Sequence, residues 1–529
     1  MYNHINKIFF SFIFIYLIVG ISLSITTGIS HDEFHEQQTW EINLKAIKSF
    51  FIDNNGYDEL LNYKDRYFGI ASHLISQPIQ FLTYEFVGDV NKMTDKYAYL
   101  VSRHISFFII FSISGIFFYK LCLKLSNNYY FSLFSSIIYL FYPYLFGHAL
   151  MNTKDIPLLS FWLICSYLSL SIFENYLIKD KFETKKVILL SFLTCFLISI
   201  RLVGAIIFIQ YLISLLIIID LKKISFFQFF RKNFNFLIIF IGLFFLFLYL
   251  LNPILWKNPL ELINGFLWFS KYKYAVCTLT LGDCMESLNL NYKYYFIWLF
   301  FKLPIFILIG FVLYPFVENK IFSDNKVKLY YLSLLISFIV ILLIFILMKV
   351  AIYDELRHIM FLLPVIFIIS LFNFYKFNKK IFYILSSLLV FTFILENFKL
   401  NPYQYTWLNN FARFTNIQKN FELDYWGISG KNLQQKISKV SADKNLNKSI
   451  CVYGGGMYNG AYLEELGFSC FKSYSSIDEP NKGRPFFAYQ NLRNLKRSDP
   501  KDCSLIHVEK YKYFFFKQEL VMGEVWYCD

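Results

Sequence analysis

The chain has 529 residues, of which 57% are hydrophobic and 21% aromatic, and its formal net charge is +14. Its apolar residues occur in long uninterrupted runs, which argues against a soluble globular fold and is typical of helices surrounded by lipid. The positive charge does not indicate a nucleic-acid partner, because Lys and Arg lie mainly in short loops between these runs, where they orient membrane helices.

The first long apolar segment, residues 8–29, is followed directly by HDEFHE at 31–36. We interpret this segment as a retained membrane helix and not a signal peptide, because no small-residue cleavage site follows it. Asp32 and Glu33 are then held at a membrane surface. A carboxylate pair in that place can take a proton from an acceptor hydroxyl or bind a divalent cation, so the two residues are candidates for catalysis.

The first outer loop, residues 30–96, is predicted to be more than a tether. Its segments 41–51 and 66–82 carry apolar residues at helical spacing but too many polar groups to cross a bilayer. We therefore expect two amphipathic helices that lie in the membrane interface and wall a groove open to lipid.

Clusters of basic residues between the later apolar runs predict the orientation, because cytoplasmic loops are enriched in Lys and Arg. Alternation from these clusters predicts about 11 spans, provided that residues 187–219 form two short helices hinged near Arg201. The predicted fold is a multi-pass α-helical membrane domain over residues 1–398. The clusters are Lys120 and Lys124; Lys179, Lys181, Lys185 and Lys186; Lys222, Lys223, Arg231 and Lys232; Lys320, Lys326 and Lys328; and Lys376, Lys379 and Lys380.

The C-terminal region, residues 399–529, is predicted to be a small extracytoplasmic α/β domain. It is less hydrophobic than the rest, and short β-prone pieces occur at 449–453 and 512–517. Cysteine usage supports an outer location, because Cys277 and Cys284 share one predicted outer loop and an even number of cysteines lies in the C-terminal region. The spacing of the C-terminal cysteines leaves their three possible pairings open. The C-terminal cysteines are Cys451, Cys470, Cys503 and Cys528.

A second acidic position occurs in GHALMNTKDIP, residues 147–157, which joins two spans on the predicted outer face. This segment contributes Lys154 as a candidate for substrate binding and Asp155 as a candidate for catalysis. Asp155 can alternatively be a first-turn acid favoured by the helix dipole. Its predicted position on the same face as Asp32 favours a functional role.

Arginines complete a predicted polar rim at the outer face. YDELRHIMFLLP places Arg357 and His358 at the outer end of one helix, and YLVSRHISFF places Arg103 at the outer start of another. The guanidinium group is a planar fork of donors that suits phosphate oxygens. Arg201, inside an apolar stretch, is expected to face the bundle interior as a structural or phosphate partner.

These motifs together resemble the membrane glycosyltransferases of the GT-C superfamily, specifically the protein O-mannosyltransferase-like branch, family 39, with its bacterial lipid A aminoarabinose transferase relatives. HDE after the first span is similar to the Asp-Glu motif in that branch's first outer loop. FGHALMNTKDIPLLSFW (146–162) is similar to the second-loop segment of bacterial members, and YDELRHIMFLLP (353–364) to their late Arg-His helix. NPYQYTWLNNF to FELDYWGIS (401–429) is similar to the stretch that follows the membrane domain in a bacterial subgroup.

The resemblance covers roughly residues 1–430 and implies a role for most candidate residues. No β-trefoil insertion is evident between the later spans, which places a protein acceptor in doubt. Implied by the resemblance are Asp32 as catalytic base, Glu33 and Asp155 as assisting residues or ligands of a divalent cation (Mg²⁺, Mn²⁺ or Ca²⁺), Arg103 as a partner of the lipid phosphate, and Arg357 and His358 as lining of the donor pocket.

The predicted function is inverting transfer of a sugar from a polyprenyl-phosphate donor to an acceptor at the outer face of a bacterial inner membrane. The expected partners are this donor, membrane lipid and an acceptor that the sequence does not identify. A lipid or glycolipid transporter (a flippase) is the alternative, although such proteins usually place polar residues at mid-membrane on broken helices. A scaffold whose outer domain binds a partner is a third reading, in which Asp32 and Glu33 would tolerate alanine.

Overall fold

The computed structural model describes residues 2–52, 55–272, 274–454, 460–473, 485–493, 499–514, 516 and 518–529. A large helical bundle with its connecting loops precedes a small sheet domain. The helices up to residue 400 are α1 (Tyr2–Ser24), α2 (Asp32–Phe50), α3 (Asn55–Asn62), α4 (Ala71–Asn91), α5 (Asp95–Ser126), α6 (Tyr129–Phe141), α7 (Pro143–Ala149), α8 (Asp155–Lys179), α9 (Thr184–Ile200), α10 (Ile207–Lys222), α11 (Phe226–Leu251), α12 (Glu261–Lys271), α13 (Lys293–Lys302), α14 (Ile305–Val312), α15 (Tyr314–Ile321), α16 (Asn325–Leu347), α17 (Leu363–Phe377) and α18 (Lys379–Leu400).

Eight helices in the described residues are long and apolar enough to cross a membrane. Two further pairs satisfy the same criterion jointly but are bent, α6 with α7 by 62° and α13 with α14 by 115°. The predicted multi-pass helical membrane architecture is therefore confirmed, with eight to ten candidate spans. The eight are Ile5–Ser24, Asp95–Ser126, Asp155–Lys179, Leu202–Lys222, Phe226–Leu251, Asn325–Leu347, Arg357–Phe377 and Lys379–Leu400.

The hinge predicted near Arg201 is confirmed. Helix α9 ends at Ile200, Arg201 is extended with φ −148° and ψ 136°, and a short 3-10 turn then leads into α10. Helix α9 is the predicted span that is missing from the upper count of ten. Its 17 residues rise only about 26 Å at 1.5 Å per residue. That length is slightly less than the hydrocarbon core of a bilayer.

The first outer loop contains helices, as predicted, but the first of them begins earlier than expected. Helix α2 starts at Asp32, so Asp32 and Glu33 lie on its first turn and His31 is its N-cap residue. Helix α4 begins at Ala71, and the residues before it from 66 are not helical. The N-terminal turn of α2 therefore fixes the directions of Asp32 and Glu33 relative to each other, about 100° apart around the helix axis.

The C-terminal domain is a five-stranded mixed sheet of order β4-β3-β5-β7-β6 with helix α21 packed on it. The strand predicted at 449–453 is confirmed as β3. Of the β-prone piece predicted at 512–517, Lys512 is the last residue of β6, residues 513, 514 and 516 are not in a strand, and residues 515 and 517 lie outside the described residues. The remaining elements are β1 (Cys277–Thr280), β2 (Asp283–Glu286), α19 (Asn410–Arg413), α20 (Ile417–Asn420), α21 (Gly430–Asp443), β3 (Cys451–Gly454), α22 (Gly460–Glu465), β4 (Cys470–Ser473), β5 (Phe486–Asn491), β6 (Ser504–Lys512) and β7 (Glu519–Cys528).

Disulfides join the cysteines of the predicted outer regions, and the remaining cysteines are buried in helices. Cys277, which shares one predicted outer loop with Cys284, is bonded to it in the β1–β2 hairpin. Strand pairing decides between the open pairings of the C-terminal domain, because Cys451 and Cys470 are directly opposite each other on β3 and β4. The C-terminal bridges are Cys451–Cys470 and Cys503–Cys528, and the free cysteines are Cys122, Cys165 and Cys195.

Segments that the sequence assigned to the outer face meet at one end of the bundle. The amide of Asp354 donates to Oγ1 of Thr278 over 3.1 Å, which joins the loop 350–357 to the β1–β2 hairpin. The amide of His31 donates to the carbonyl of Trp426 over 3.1 Å, which joins the start of α2 to the segment after α18. The predicted alternation of loops is thus consistent with the way the helices pack.

Candidate active site

The N-terminal turn of α2 gives its two acidic residues different environments. The side chain of Asp32 is 40% exposed, and Oδ2 contacts the guanidinium of Arg357. Glu33 is fully buried, where Oε2 lies 2.9 Å from Nε2 of His104 and Oε1 accepts the amide of Ser30 over 2.7 Å. Glu33 therefore satisfies an amide at the helix N-terminus and a buried histidine, and it makes no ion pair with Arg357 among the described residues.

Arg357 is the centre of a buried ion cluster. Its Nη1 lies 2.8 Å from Oδ2 of Asp354, its Nε lies 3.3 Å from Oδ2 of Asp155, and its Nη2 contacts Asp32. The guanidinium carbon lies 4.3 Å from the ring centroid of Trp426, so an aromatic face covers the cation. One arginine therefore connects three carboxylates that are far apart in the sequence.

Local turn chemistry places Asp155 at the start of α8. The Oδ1 of Asn152 accepts the amides of Lys154 and Asp155 over 3.1 and 2.8 Å, and its Nδ2 donates to Oδ2 of Asp155 over 2.9 Å. This is the turn that Asn side chains favour before a helix. Upstream, a Cβ at Gly147 would lie 2.2 Å from the backbone nitrogen of Tyr405, so only glycine lets the two segments approach this closely.

Arg201 is the second cation of the cluster and the more accessible one. Its Nη1 lies 2.6 Å from Oδ1 of Asp155, and its side chain is 20% exposed. Within the described residues Asp155 is the only carboxylate at ion-pair distance from Arg201, so part of its donor fork is available to a ligand. The extended backbone at the helix break presents this side chain at the cluster.

His358 lies beside the cluster with an unsatisfied nitrogen. Its Nε2 is buried and has no hydrogen-bond partner in the described part of the chain. Its ring packs edge-on to that of Tyr353 at 4.5 Å between centroids. A buried polar atom without a partner is costly, which makes His358 a candidate for contact with a bound ligand.

Lys154, another predicted binding residue, contacts a carboxylate outside the Arg357 cluster. Nζ of Lys154 lies 2.8 Å from Oε1 of Glu36 and over the ring of Phe68 at 4.8 Å. Burial alone would raise the pKa of Glu36, but Lys154 and His73 hold that pKa well below its usual range. The prediction that Lys154 binds substrate is not supported by these contacts, because its charge is already balanced by a buried carboxylate.

Arg103 is not brought to the Arg357 cluster. It is fully buried on α5, where Nη2 contacts the side-chain oxygen of Gln37 on α2. Its Nε and Nη1 have no partner among the described residues. Gln37 is roughly 140° further round α2 than Asp32. Arg103 therefore contacts a different side of this helix from the one that carries the half-exposed carboxylate.

The proposed cation ligands do not fit one metal site. Glu33 is bound by His104 and Ser30, whereas Asp155 is bound by two arginines. No group of three or more His, Cys, Asp or Glu residues in the described ranges is arranged to hold a metal ion. The two residues predicted as metal ligands are therefore divided between two separate sets of contacts.

Three cluster residues were missed by the sequence prediction. Asp354 and Glu422 lie within the family-like stretches 353–364 and 401–429 but were not predicted as site residues, and Arg493 lies beyond residue 430, where no family motif is identified. Nε of Arg493 lies 2.6 Å from Oε1 of Glu422, and its Nη2 contacts Oδ1 of Asp354. Spacing in the sequence carries no signal for these contacts, because they depend on how the C-terminal domain packs on the bundle.

The loop that carries the missed aspartate has an unusual backbone. Asp354 and Glu355 have φ values of 55° and 65°, the left-handed region that residues with a Cβ rarely adopt. Such conformations cost about 1–3 kcal/mol each and persist only where surrounding contacts hold them. Glu355 is held by Lys302, whose Nζ lies 2.7 Å from its Oε2.

The titration of Glu422 gives a testable pH dependence. Burial raises its pKa from 4.5 to about 8, against the opposing effect of Arg493. The folded protein then keeps a proton that the unfolded chain loses near its ordinary pKa, so this contribution to stability is present at low pH and decreases as the pH rises to about 8. We expect Glu422→Gln to reduce the loss of thermal stability between these pH values, measured as the midpoint of unfolding in detergent. Glu318→Gln, at an exposed position, should leave the pH profile unchanged, and the same profile in both variants would contradict the assignment.

The chain was compared with known families, curated proteins and solved structures. No family model matches the chain, and no curated protein matches its sequence. Among solved structures, the chain is similar to the crystal structure of ArnT from Cupriavidus metallidurans in the apo state, with 11% sequence identity and a TM-score of 0.45. The match covers 98% of this chain and 97% of that chain.

Proposed function

We propose that the protein transfers a sugar from a polyprenyl-phosphate donor to an acceptor at the outer face of the membrane. The observation that carries this proposal is the half-exposed carboxylate of Asp32 beside a buried Arg357 and an accessible Arg201. This combination supplies a base for an acceptor and cationic donors for a phosphate within one site. The sequence resemblance to GT-C glycosyltransferases of family 39 supports the same reaction.

Asp32 is proposed as the general base. Arg357 holds Oδ2 of this carboxylate, and Oδ1 has no protein partner within the described residues. In the proposed step Oδ1 takes the proton of the acceptor hydroxyl or amine while the acceptor atom attacks the anomeric carbon. The bond from that carbon to the phosphate oxygen breaks, so the configuration inverts and the polyprenyl phosphate leaves with the electron pair.

Arg201 and His358 are proposed to receive the departing phosphate. The free donors of Arg201 can bind phosphate oxygens through a fork of N–H groups, and the unsatisfied Nε2 of His358 can donate to a third oxygen when protonated there. Asp155 keeps Arg201 and Arg357 in place by binding both. Such preorganised donors stabilise charge that develops in the transition state.

Arg201→Gln is expected to raise KM for the donor by about 10- to 100-fold, because a hydrogen bond from a charged group to phosphate contributes about 1.5–3 kcal/mol. Folding should be retained, since Asp155 keeps Arg357 as a partner. Initial rates against donor concentration check this expectation. Arg201→Lys should be intermediate because it keeps the charge and loses the fork. Arg231→Gln, at an exposed position, is the matched control, and an equal effect of both glutamine variants would contradict a binding role.

The experiment that tests the proposed function separates transfer from transport. Purified protein is reconstituted in vesicles that contain short-chain polyprenyl-phosphate sugars, with an envelope lipid extract added as acceptor. Transfer predicts cleavage of the donor, with release of polyprenyl phosphate that depends on the extract. Movement of intact donor between leaflets, without cleavage of any of the polyprenyl-phosphate sugars, would favour the flippase alternative instead.

A further inference from the structure

The C-terminal domain reaches the ion cluster through the side chain of Arg493. Its guanidinium bridges Glu422 and Asp354, and the remaining oxygen of Asp354 is 2.8 Å from Nη1 of Arg357. A continuous series of ion pairs therefore runs from the C-terminal domain to Asp32. The same carboxylate of Asp354 is shared by an arginine of the bundle and an arginine of the C-terminal domain.

The backbone around Arg493 is fixed in the sheet domain. Arg493 lies two residues after β5, and the amide of Leu492 between them donates to the carbonyl of Met522 on β7 over 2.8 Å. The carbonyl of Arg493 accepts the amide of Leu423 over 2.9 Å. The arginine is therefore held on both sides, and its side chain transmits the position of the sheet domain to the loop at 354–357.

That loop needs external support because of its backbone. Asp354 and Glu355 are consecutive residues in the left-handed region. Thr278 holds the amide of Asp354, and Lys302 holds the side chain of Glu355, but both lie in the same bundle as the loop. Arg493 supplies the contact to the Asp354 carboxylate from outside that bundle.

We propose that Arg493 is a positioning residue, through which the C-terminal domain holds Asp354 and thereby orients Arg357 toward Asp32. The inference rests on the proposed function where it concerns rate. The C-terminal domain, whose role the sequence left open, then takes part in assembling the site. Arg493 acts through Asp354 and is not required to touch the sugar or the phosphate.

The test uses the full-length chain with Arg493→Gln and Arg493→Lys. Hydrogen exchange of the backbone at 353–360 is measured together with kcat and KM for sugar transfer. We expect Arg493→Gln to speed this exchange and to lower kcat, each by about 10- to 100-fold, with a smaller change in KM. Arg493→Lys should recover part of both effects, because it restores the charge.

Lys431→Gln is the matched control for loosening of the domain. Nζ of Lys431 contacts the carbonyl of Thr26 over 2.6 Å and so joins the C-terminal domain to the end of α1, away from Asp354. This variant should leave exchange at 353–360 and kcat unchanged. Asp354→Asn supplies the second control, since Arg493→Gln should add little to its effect if the two residues act as one unit.

The outcomes separate this inference from the proposed function. Unchanged exchange at 353–360 in Arg493→Gln, or faster exchange with an unchanged kcat, would overturn the positioning role. Equal effects of Lys431→Gln and Arg493→Gln would also overturn it, because general loosening would then suffice. If the wild type cleaves no donor but exchange responds to Arg493→Gln alone, the structural role stands and the proposed function fails.

Discussion

Replacing Asp32 by asparagine should lower kcat for sugar transfer by about 10²- to 10⁴-fold, the range that a positioned general base contributes. The amide is close in shape to the carboxylate but cannot take the acceptor proton. Because Asp32 is 40% exposed, the variant should remain folded. Steady-state rates with saturating donor, together with the elution profile and thermal midpoint in detergent, measure both parts of this expectation.

The matched control is Glu41→Gln, an exposed carboxylate on the same helix α2 that makes no contact with Arg357. It should transfer sugar at the rate of the wild type. A variant of Asp32 that keeps more than about one tenth of the rate would exclude it as the base, since even the weakest general-base effects exceed this factor.

Replacing Arg357 by glutamine should remove both activity and much of the stability. The side chain is 7% exposed and binds Asp32, Asp155 and Asp354, so its loss leaves three carboxylates close together without their shared cation. Breaking a buried ion pair by removing one partner costs about 3–5 kcal/mol. We expect a lower thermal midpoint and no measurable transfer.

A second substitution separates the two losses. Arg357→Gln with Asp155→Asn removes the excess negative charge that the loss of Arg357 leaves on the three carboxylates, so the thermal midpoint should recover in part, although Arg201 then lacks its carboxylate. Activity should not return, because Asp32 still lacks its partner. Recovery of transfer together with stability would show that Arg357 acts only in folding, contrary to the proposed role.

Hydropathy and loop charge were sufficient to predict the membrane architecture. Long apolar runs leave little choice of structure in lipid, where each backbone group must be satisfied inside its own helix. The hinge at Arg201 was also predictable, because an arginine within an apolar run must leave the lipid face. The pairing of the C-terminal cysteines was not, since it depends on which strands are neighbours in the sheet.

The candidate site was predicted in part. Asp32, Asp155, Arg201 and Arg357 come from four separate segments, and placing all four at one face of the membrane was enough to expect them together. Glu33 points about 100° away from Asp32 around α2, a difference that became visible only once the motif was placed on a helix. The sequence also could not show that Lys154 forms a buried ion pair with Glu36.

Contacts from the C-terminal domain lay beyond what the sequence could predict. Arg493 is more than 100 residues away from Asp354 in the chain, and their contact exists only because the sheet domain packs against the bundle. The left-handed backbone at Asp354 was equally hidden, since neither it nor Glu355 is a glycine that would signal such a turn. Both features belong to tertiary structure.

Sugar transfer is tested by acceptor-dependent release of polyprenyl phosphate by the purified wild-type protein. The measurement uses short-chain polyprenyl-phosphate sugars of several kinds in detergent, with and without envelope lipid extract, beside Asp32→Asn. We expect at least one donor to be cleaved only when the extract is present, and the transferred sugar to be recovered on a lipid or glycan with its anomeric configuration inverted. Binding of a donor without any cleavage by the wild type, or equal cleavage by wild type and Asp32→Asn, would contradict this expectation.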